Sequence, residues 1–314
     1  MKKGFFYFAM AAFAVFCAAS CGDDDEFVKP DNSKVEIPEP PTSSVAAEYQ
    51  FSGDGLKSTD GESKMQALTI TESGKAIVDI ITPMGEKFIT YDAKVENGRI
   101  SIYDEFGNLI GEAQEVGTKG SANVSLILDC EIIVNGKTYS FKITGESAVA
   151  VLKFVNEATG GQALINLCRT WNVKSLFLTL SGGVDLSKYE ESGNLEVFVD
   201  EAIKRGAFDD NPEEAEQLRK IIKSITPDKN GNLFIEYVEK DGTHLTEAAT
   251  WKWKDSKMSG IVIKFRDTKM GNKFFANDSQ INIEFNAAGG CTLELNTDIK
   301  GSKNYHANLI VVLK

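Results

Sequence analysis

Few motifs in this 314-residue chain have the spacing of a catalytic site. The two histidines, His244 and His306, are its only groups with an ordinary titration near neutral pH. On the strand alternation set out below they fall on faces opposite Trp251 and Tyr305, pointing away from the expected core. No Gly-x-Ser-x-Gly elbow, His-Glu-x-x-His pair or phosphate loop occurs, and Gly117-Thr118-Lys119-Gly120-Ser121 has the setting of a hairpin turn. Asp228-Lys229-Asn230-Gly231-Asn232, with Glu239 twelfth, has oxygen ligands at calcium-loop spacing. Leu233 stands where that loop needs Gly, and a strand leading to Asp241-Gly242 follows instead of a helix, so a β-turn is expected. Acids are plentiful, but nothing in their spacing singles out a glycosidase pair. The expectation is therefore a protein that is not an enzyme, with no catalytic residue, metal site or cofactor. Cys130, Cys168 and Cys291 lack any Cys-x-x-Cys pairing and read as buried apolar thiols, of which at most one pair could bridge. The remaining candidates are Trp171, Trp251 and Trp253. They either line an apolar pocket or sugar-stacking platform, or plug the end of a barrel.

The elements that must position these residues are mainly strands. Between Glu48 and Thr144 about eight short strands are expected, with turns at Asn97-Gly98, Phe106-Gly107-Asn108, Lys119-Gly120 and Asn135-Gly136. Ile89, Tyr91, Ala93 and Val95 share one strand face, as do Val124, Leu126, Leu128, Cys130 and Ile132. Ser147 to Glu157 carries apolar residues at helical spacing. A strand from Trp171 through Leu180 comes next, then helices over Asn194 to Arg205 and Glu213 to Ile225, the second capped by Asn211-Pro212. After Pro227 the alternation is that of strands to the end, with Trp251 and Trp253 on one face. The fold class expected is mainly β: two antiparallel meander barrels or sandwiches, the second with a helical insertion after its first strand. The boundaries read 47–145 for the first β domain, 146–169 for a helical connector and 170–314 for the second β domain.

Residues 1–20 read as a signal peptide. Lys2 and Lys3 precede Gly4 to Ala19, which is uncharged and too short to span a bilayer comfortably. Ala18-Ala19-Ser20-Cys21 resembles a bacterial lipobox, which implies lipid attachment at Cys21 and a membrane partner through that anchor. Asp23-Asp24-Asp25-Glu26 follows and resembles the acidic export signal of Bacteroidota lipoproteins, implying the outer face of the outer membrane. Without sorting by that run the protein would face the periplasm. Residues 21–46 form the lipidated Cys, the acidic run and a stalk holding Pro30, Pro38, Pro40 and Pro41. Loss of Lys2 and Lys3 with the signal peptide takes the formal charge from −12 to −14, which argues against nucleic acid as a partner.

From Leu167 to Lys314 the order of strand, insertion and meander, opened by Thr170-Trp171, resembles the lipocalin-like (calycin-type) domains of Bacteroidota surface lipoproteins. That resemblance implies a barrel binding a small apolar molecule or a glycan. The alternative is a filled barrel pair acting as a non-catalytic accessory of an outer-membrane protein complex at the cell surface.

Overall fold

A computed structural model describes residues 31–38, 47–51, 55–83, 85–116, 125–134, 137–143, 148–151, 161–182, 185–206, 219–239, 242, 244–266, 279–300 and 304–314. The signal peptide, Cys21 and the acidic run lie outside these residues. Asp31–Lys314 forms one compact unit. Among the described residues no helix is long and apolar enough to cross a membrane.

Among the described residues ten strands make the N-terminal half: β1 (Ala47–Phe51), β2 (Leu56–Lys57), β3 (Lys64–Ile70), β4 (Lys75–Thr82), β5 (Gly85–Glu96), β6 (Arg99–Tyr103), β7 (Leu109–Val116), β8 (Ser125–Val134), β9 (Lys137–Ile143) and β10 (Ala148–Val151). β3 to β9 pair antiparallel in sequence order, and β1 pairs with both β3 and β10. Asn97 and Gly98 take positive φ (53° and 78°) at the β5–β6 hairpin, the backbone that a tight two-residue turn requires. The sheet curls until Thr59 N donates to Ser140 O at 2.9 Å and Lys137 pairs with Glu62 across the seam. Alternation places Met65, Val78, Ile80, Ile100, Ile102, Ile132 and Phe141 inside, all buried.

Among the described residues the C-terminal half has nine: β11 (Trp171–Ser181), β12 (Leu186–Glu190), β13 (Lys220–Pro227), β14 (Asn232–Glu239), β15 (His244–Trp253), β16 (Gly260–Phe265), β17 (Ser279–Asn286), β18 (Gly290–Lys300) and β19 (Asn304–Leu313). β13 to β19 pair in sequence order. β11 then closes the cylinder, pairing with β19 from Val173 to Ser181 and with β13 at Trp171 and Asn172. The result is an eight-stranded antiparallel up-and-down barrel, the lipocalin-like order, with extra strands. Its inward residues alternate strictly, as in Ile281, Ile283 and Phe285 or Cys291, Leu293 and Leu295, all buried. The insertion after β11 holds β12 and a helix, Glu196–Lys204.

The structure departs from the sequence reading in three places. Ala148–Val151, inside the expected helical connector, is a strand, because its Ala-Val-Ala-Val run completes the free edge of β1; a helix spans Gly161–Leu167. The expected helix from Glu213 to Ile225 ends in strand instead: Lys220–Pro227 is β13, and 211–218 lie outside the described residues. β-branched Ile221, Ile222 and Ile225 suit a strand flanked by β11 and β14, so sheet pairing overrides their helical spacing.

The third departure is in the expected stalk. Asp31 to Pro38 lies along the barrel base. Asn32 is fully buried there, donating Nδ2 to Met258 O (2.8 Å) and Ile283 O (2.9 Å) and accepting from Phe285 N (3.3 Å). Val35 and Ile37 pack on the barrel core, Ile37 N donates to Asn166 Oδ1, and Arg169 Nη1 donates to Pro38 O at 2.8 Å. The segment is held because one side-chain amide serves three backbone groups that water cannot reach.

The two halves meet along the outer faces of β4, β5, β14 and β15. Ile77, Phe88, Phe234 and Ala248 form a small buried cluster, and Thr90 Oγ1 lies 2.7 Å from Thr246 Oγ1.

Candidate functional site

A closed eight-stranded cylinder leaves room for its own side chains or for one small ligand. Inward side-chain size decides between the two. Here most of the wall is aliphatic: Leu178, Ile261, Ile281, Leu295, Leu309 and Val311 leave a cavity of about 120 Å³. Trp171 forms one end of it. Its indole Nε1 donates to Leu167 O at 3.0 Å, from the helix beneath the barrel, and its ring stacks on Phe285 with centroids 6.5 Å apart. Thr170, beside it, bonds Ser73 Oγ of the other half at 2.6 Å and Thr226 Oγ1 at 3.1 Å. The Thr170-Trp171 pair thus fixes both the barrel floor and the junction.

Trp251 and Trp253 are not in the cavity wall. Trp251 is buried below it, with Nε1 donating to Asp228 O at 3.1 Å, and Trp253 meets it edge-on with ring centroids 5.3 Å apart. They face inward on β15, as their spacing predicts, and occupy the barrel base.

The cavity wall also contains polar residues that sequence reasoning did not assign. Lys220, Tyr237 and Glu247 all line it. Lys220 Nζ lies 3.5 Å from Glu247 Oε1 and 4.1 Å from the centre of the Tyr237 ring. The Lys220 and Glu247 side chains are only 12% and 21% exposed, so this is an ion pair set in an apolar wall. The signal for Glu247 was present: it shares the parity of Ala249 and Trp251 on β15. Lys220 was hidden by the helical reading of its segment. Leu195, at the start of the insertion helix, closes the same side, held by its N–H to Lys220 O at 3.1 Å.

The stretch with calcium-loop spacing is the turn its sequence predicts, at the junction. Asp228 is fully buried; its Oδ1 accepts from Asn230 N (2.9 Å) and Asn232 N (2.8 Å), and its Oδ2 from Asn232 Nδ2 (2.9 Å). These donors occupy the oxygens a cation would need. Burial still pushes its carboxyl up to about 7, against those hydrogen bonds. Asp79, on the outer face of β4, is likewise pushed up to about 7, first by burial and then by the charges of Glu86 and Glu48, with Arg266 opposing. Among the described residues no cluster of His, Cys, Asp and Glu could hold a metal ion.

His244 contacts Glu105 (3.0 Å) and Glu236 (3.6 Å) on the outside of the barrel, and the exposed His306 contacts Asp298 (2.9 Å). Cys130, Cys168 and Cys291 are buried free thiols; burial pushes Cys130 up to about 12 and raises the other two. Such thiols are poor nucleophiles.

No family model matches the sequence, and no curated protein matches it. Among solved structures, the chain is similar to isotype 1 transferrin binding protein B from serogroup B Neisseria meningitidis. The identity is 9% and the TM-score 0.25, covering 79% of this chain and 51% of that one. The chain thus spans about half the length of that protein. A transferrin binding protein B mutant from Haemophilus parasuis aligns at 9% identity and a TM-score of 0.22, over 87% of this chain and 77% of that one. A porin-like protein from Bacteroides uniformis aligns at 9% and 0.17, over 89% and 99%. Likeness at this level carries no argument about function.

Proposed function

We propose that this chain is a non-catalytic binding protein whose C-terminal barrel holds one small apolar molecule. The observation that carries this reading is the aliphatic cavity of about 120 Å³ above Trp171. Drug-sized ligands occupy about 300–1,000 Å³, whereas an engineered cavity of about 150 Å³ takes benzene or xenon. The ligand class is therefore a short hydrocarbon or a simple ring. A glycan does not suit this lumen, since Trp251 and Trp253 meet each other edge-on outside its wall.

The test is a titration with benzene and 1-hexene, read by isothermal calorimetry and by Trp171 emission in a Trp251→Phe/Trp253→Phe variant. Saturable binding of wild type, lost in Val311→Phe, supports the reading. Absence of binding to wild type overturns it.

The setting we infer is a lipoprotein anchored at Cys21, sorted by Asp23–Glu26 to the outer face of an outer membrane. Cys21→Ser is expected to abolish incorporation of a labelled fatty acid; retained label would place the anchor elsewhere. A second reading, an accessory subunit of a surface complex, is favoured by one observation: Phe106 and Leu109 on the β6–β7 turn are 81% and 52% exposed. Co-purification of a membrane partner, lost in a Phe106→Ser/Leu109→Ser variant, would support it.

A further inference from the structure

The lumen reading leaves unexplained why an apolar wall contains Lys220 and Glu247. A buried ion pair is weak evidence for stability, because desolvating two charges offsets their attraction. Well-packed aliphatic residues in place of a buried pair are often neutral or stabilising. We propose that the Lys220–Glu247 pair is a head-group site, selecting aliphatic ligands that end in a neutral group able both to donate and to accept a hydrogen bond: a primary alcohol or amide. This rests on the lumen reading above.

Charge and reach select the head group. The two side chains come from neighbouring parts of the wall, β13 and β15, and both border the cavity that Leu178, Leu309 and Val311 line. With Nζ 3.5 Å from Oε1, the pair has no net charge, and Tyr237 lies under the ammonium. A ligand carboxylate approaching Lys220 would stand beside the Glu247 carboxylate in a low-dielectric setting, where like charges repel strongly. A ligand ammonium would meet the same opposition from Lys220. A hydroxyl meets neither. It donates to the Glu247 carboxylate and accepts from the Lys220 ammonium, leaving the pair intact and both bonds charge-assisted. The apolar wall accounts for the chain, and the pair accounts for the head.

Wild-type protein is titrated by calorimetry with 1-hexanol, sodium hexanoate and hexane at pH 7.5. The expected order has hexanol binding about tenfold or more tighter than hexanoate, and tighter than hexane. Glu247→Gln removes the opposing charge while keeping size and hydrogen bonding, so it should narrow or reverse the alcohol-over-carboxylate preference. Lys220→Met should weaken hexanoate further. Equal or tighter binding of hexanoate by wild type overturns the head-group site. So does hexanol no better than hexane. Both outcomes leave the lumen reading standing. Failure of all three probes to bind overturns the lumen reading and this inference with it. The wild-type comparison decides the matter even if a variant does not fold.

Discussion

The two β halves are built by the same alternation and end differently. In the N-terminal half, Tyr49, Tyr139, Phe141 and Met65 are buried inside, and the seam is joined by Thr59 N to Ser140 O. In the C-terminal half, a ladder from Val173 to Ser181 closes the cylinder, and aliphatic walls leave a lumen over Trp171. Period-two patterning makes a curled antiparallel sheet in both cases, closed by a ladder in the C-terminal half. Which residues occupy the inward positions decides how much space each interior keeps.

The sharpest way to break this contrast is at the floor of the lumen. Trp171→Ala removes a fully buried indole that stacks on Phe285 and bonds Leu167 O. A loss of about 3–5 kcal/mol in chemical denaturation is expected. A loss under about 1 kcal/mol would mean the floor does not depend on this residue.

Matched overpacking compares the two interiors directly. Val78→Phe in the N-terminal core, where Val78 is 1% exposed, should cost about 1–3 kcal/mol. Val311→Phe in the lumen wall should cost less, about 1 kcal/mol or under, because the cavity accepts the added volume. Equal costs would show the two interiors to be equally full.

Much of this architecture was legible. The inward faces of β17, β18 and β19, the insertion helix and the turn at Asp228 follow from alternation and turn chemistry. Two elements were not legible, for a common reason. Ile221, Ile222 and Ile225 satisfy a helical and a strand pattern alike over so short a run, and only pairing with β11 and β14 decides between them. Asn32 lies in a polar, Pro-bounded segment that looks like linker. What holds it is three backbone groups of the barrel base, two of them more than 250 residues away in sequence. Of the residues that line the cavity, Trp171 was singled out by the sequence and Lys220 was missed with its strand.

The base strap gives a smaller effect. Asn32→Ala leaves Phe285 N and two carbonyls without this partner, and a loss of about 1–3 kcal/mol is expected. Unchanged melting would show that water replaces it.

The last effect lies at the junction and depends on pH. Asp79 is held near neutrality by burial, with its carboxyl pushed up to about 7. A carboxyl whose folded pKa is raised binds more protons folded than unfolded. Its contribution is therefore complete below about pH 4 and is lost as pH rises through about 7. Asp79→Asn mimics the protonated form, so it should melt like wild type at pH 4 and above it at pH 8. A variant that melts lower at pH 8 would show that the charged form is held by Arg266.

The most direct test of the central claim is diffraction from crystals pressurised with xenon. The account predicts a xenon site inside the C-terminal barrel, above Trp171 and between Leu178 and Val311, with no comparable site inside the N-terminal half. No xenon in the C-terminal barrel, or equal occupancy in both, would contradict it.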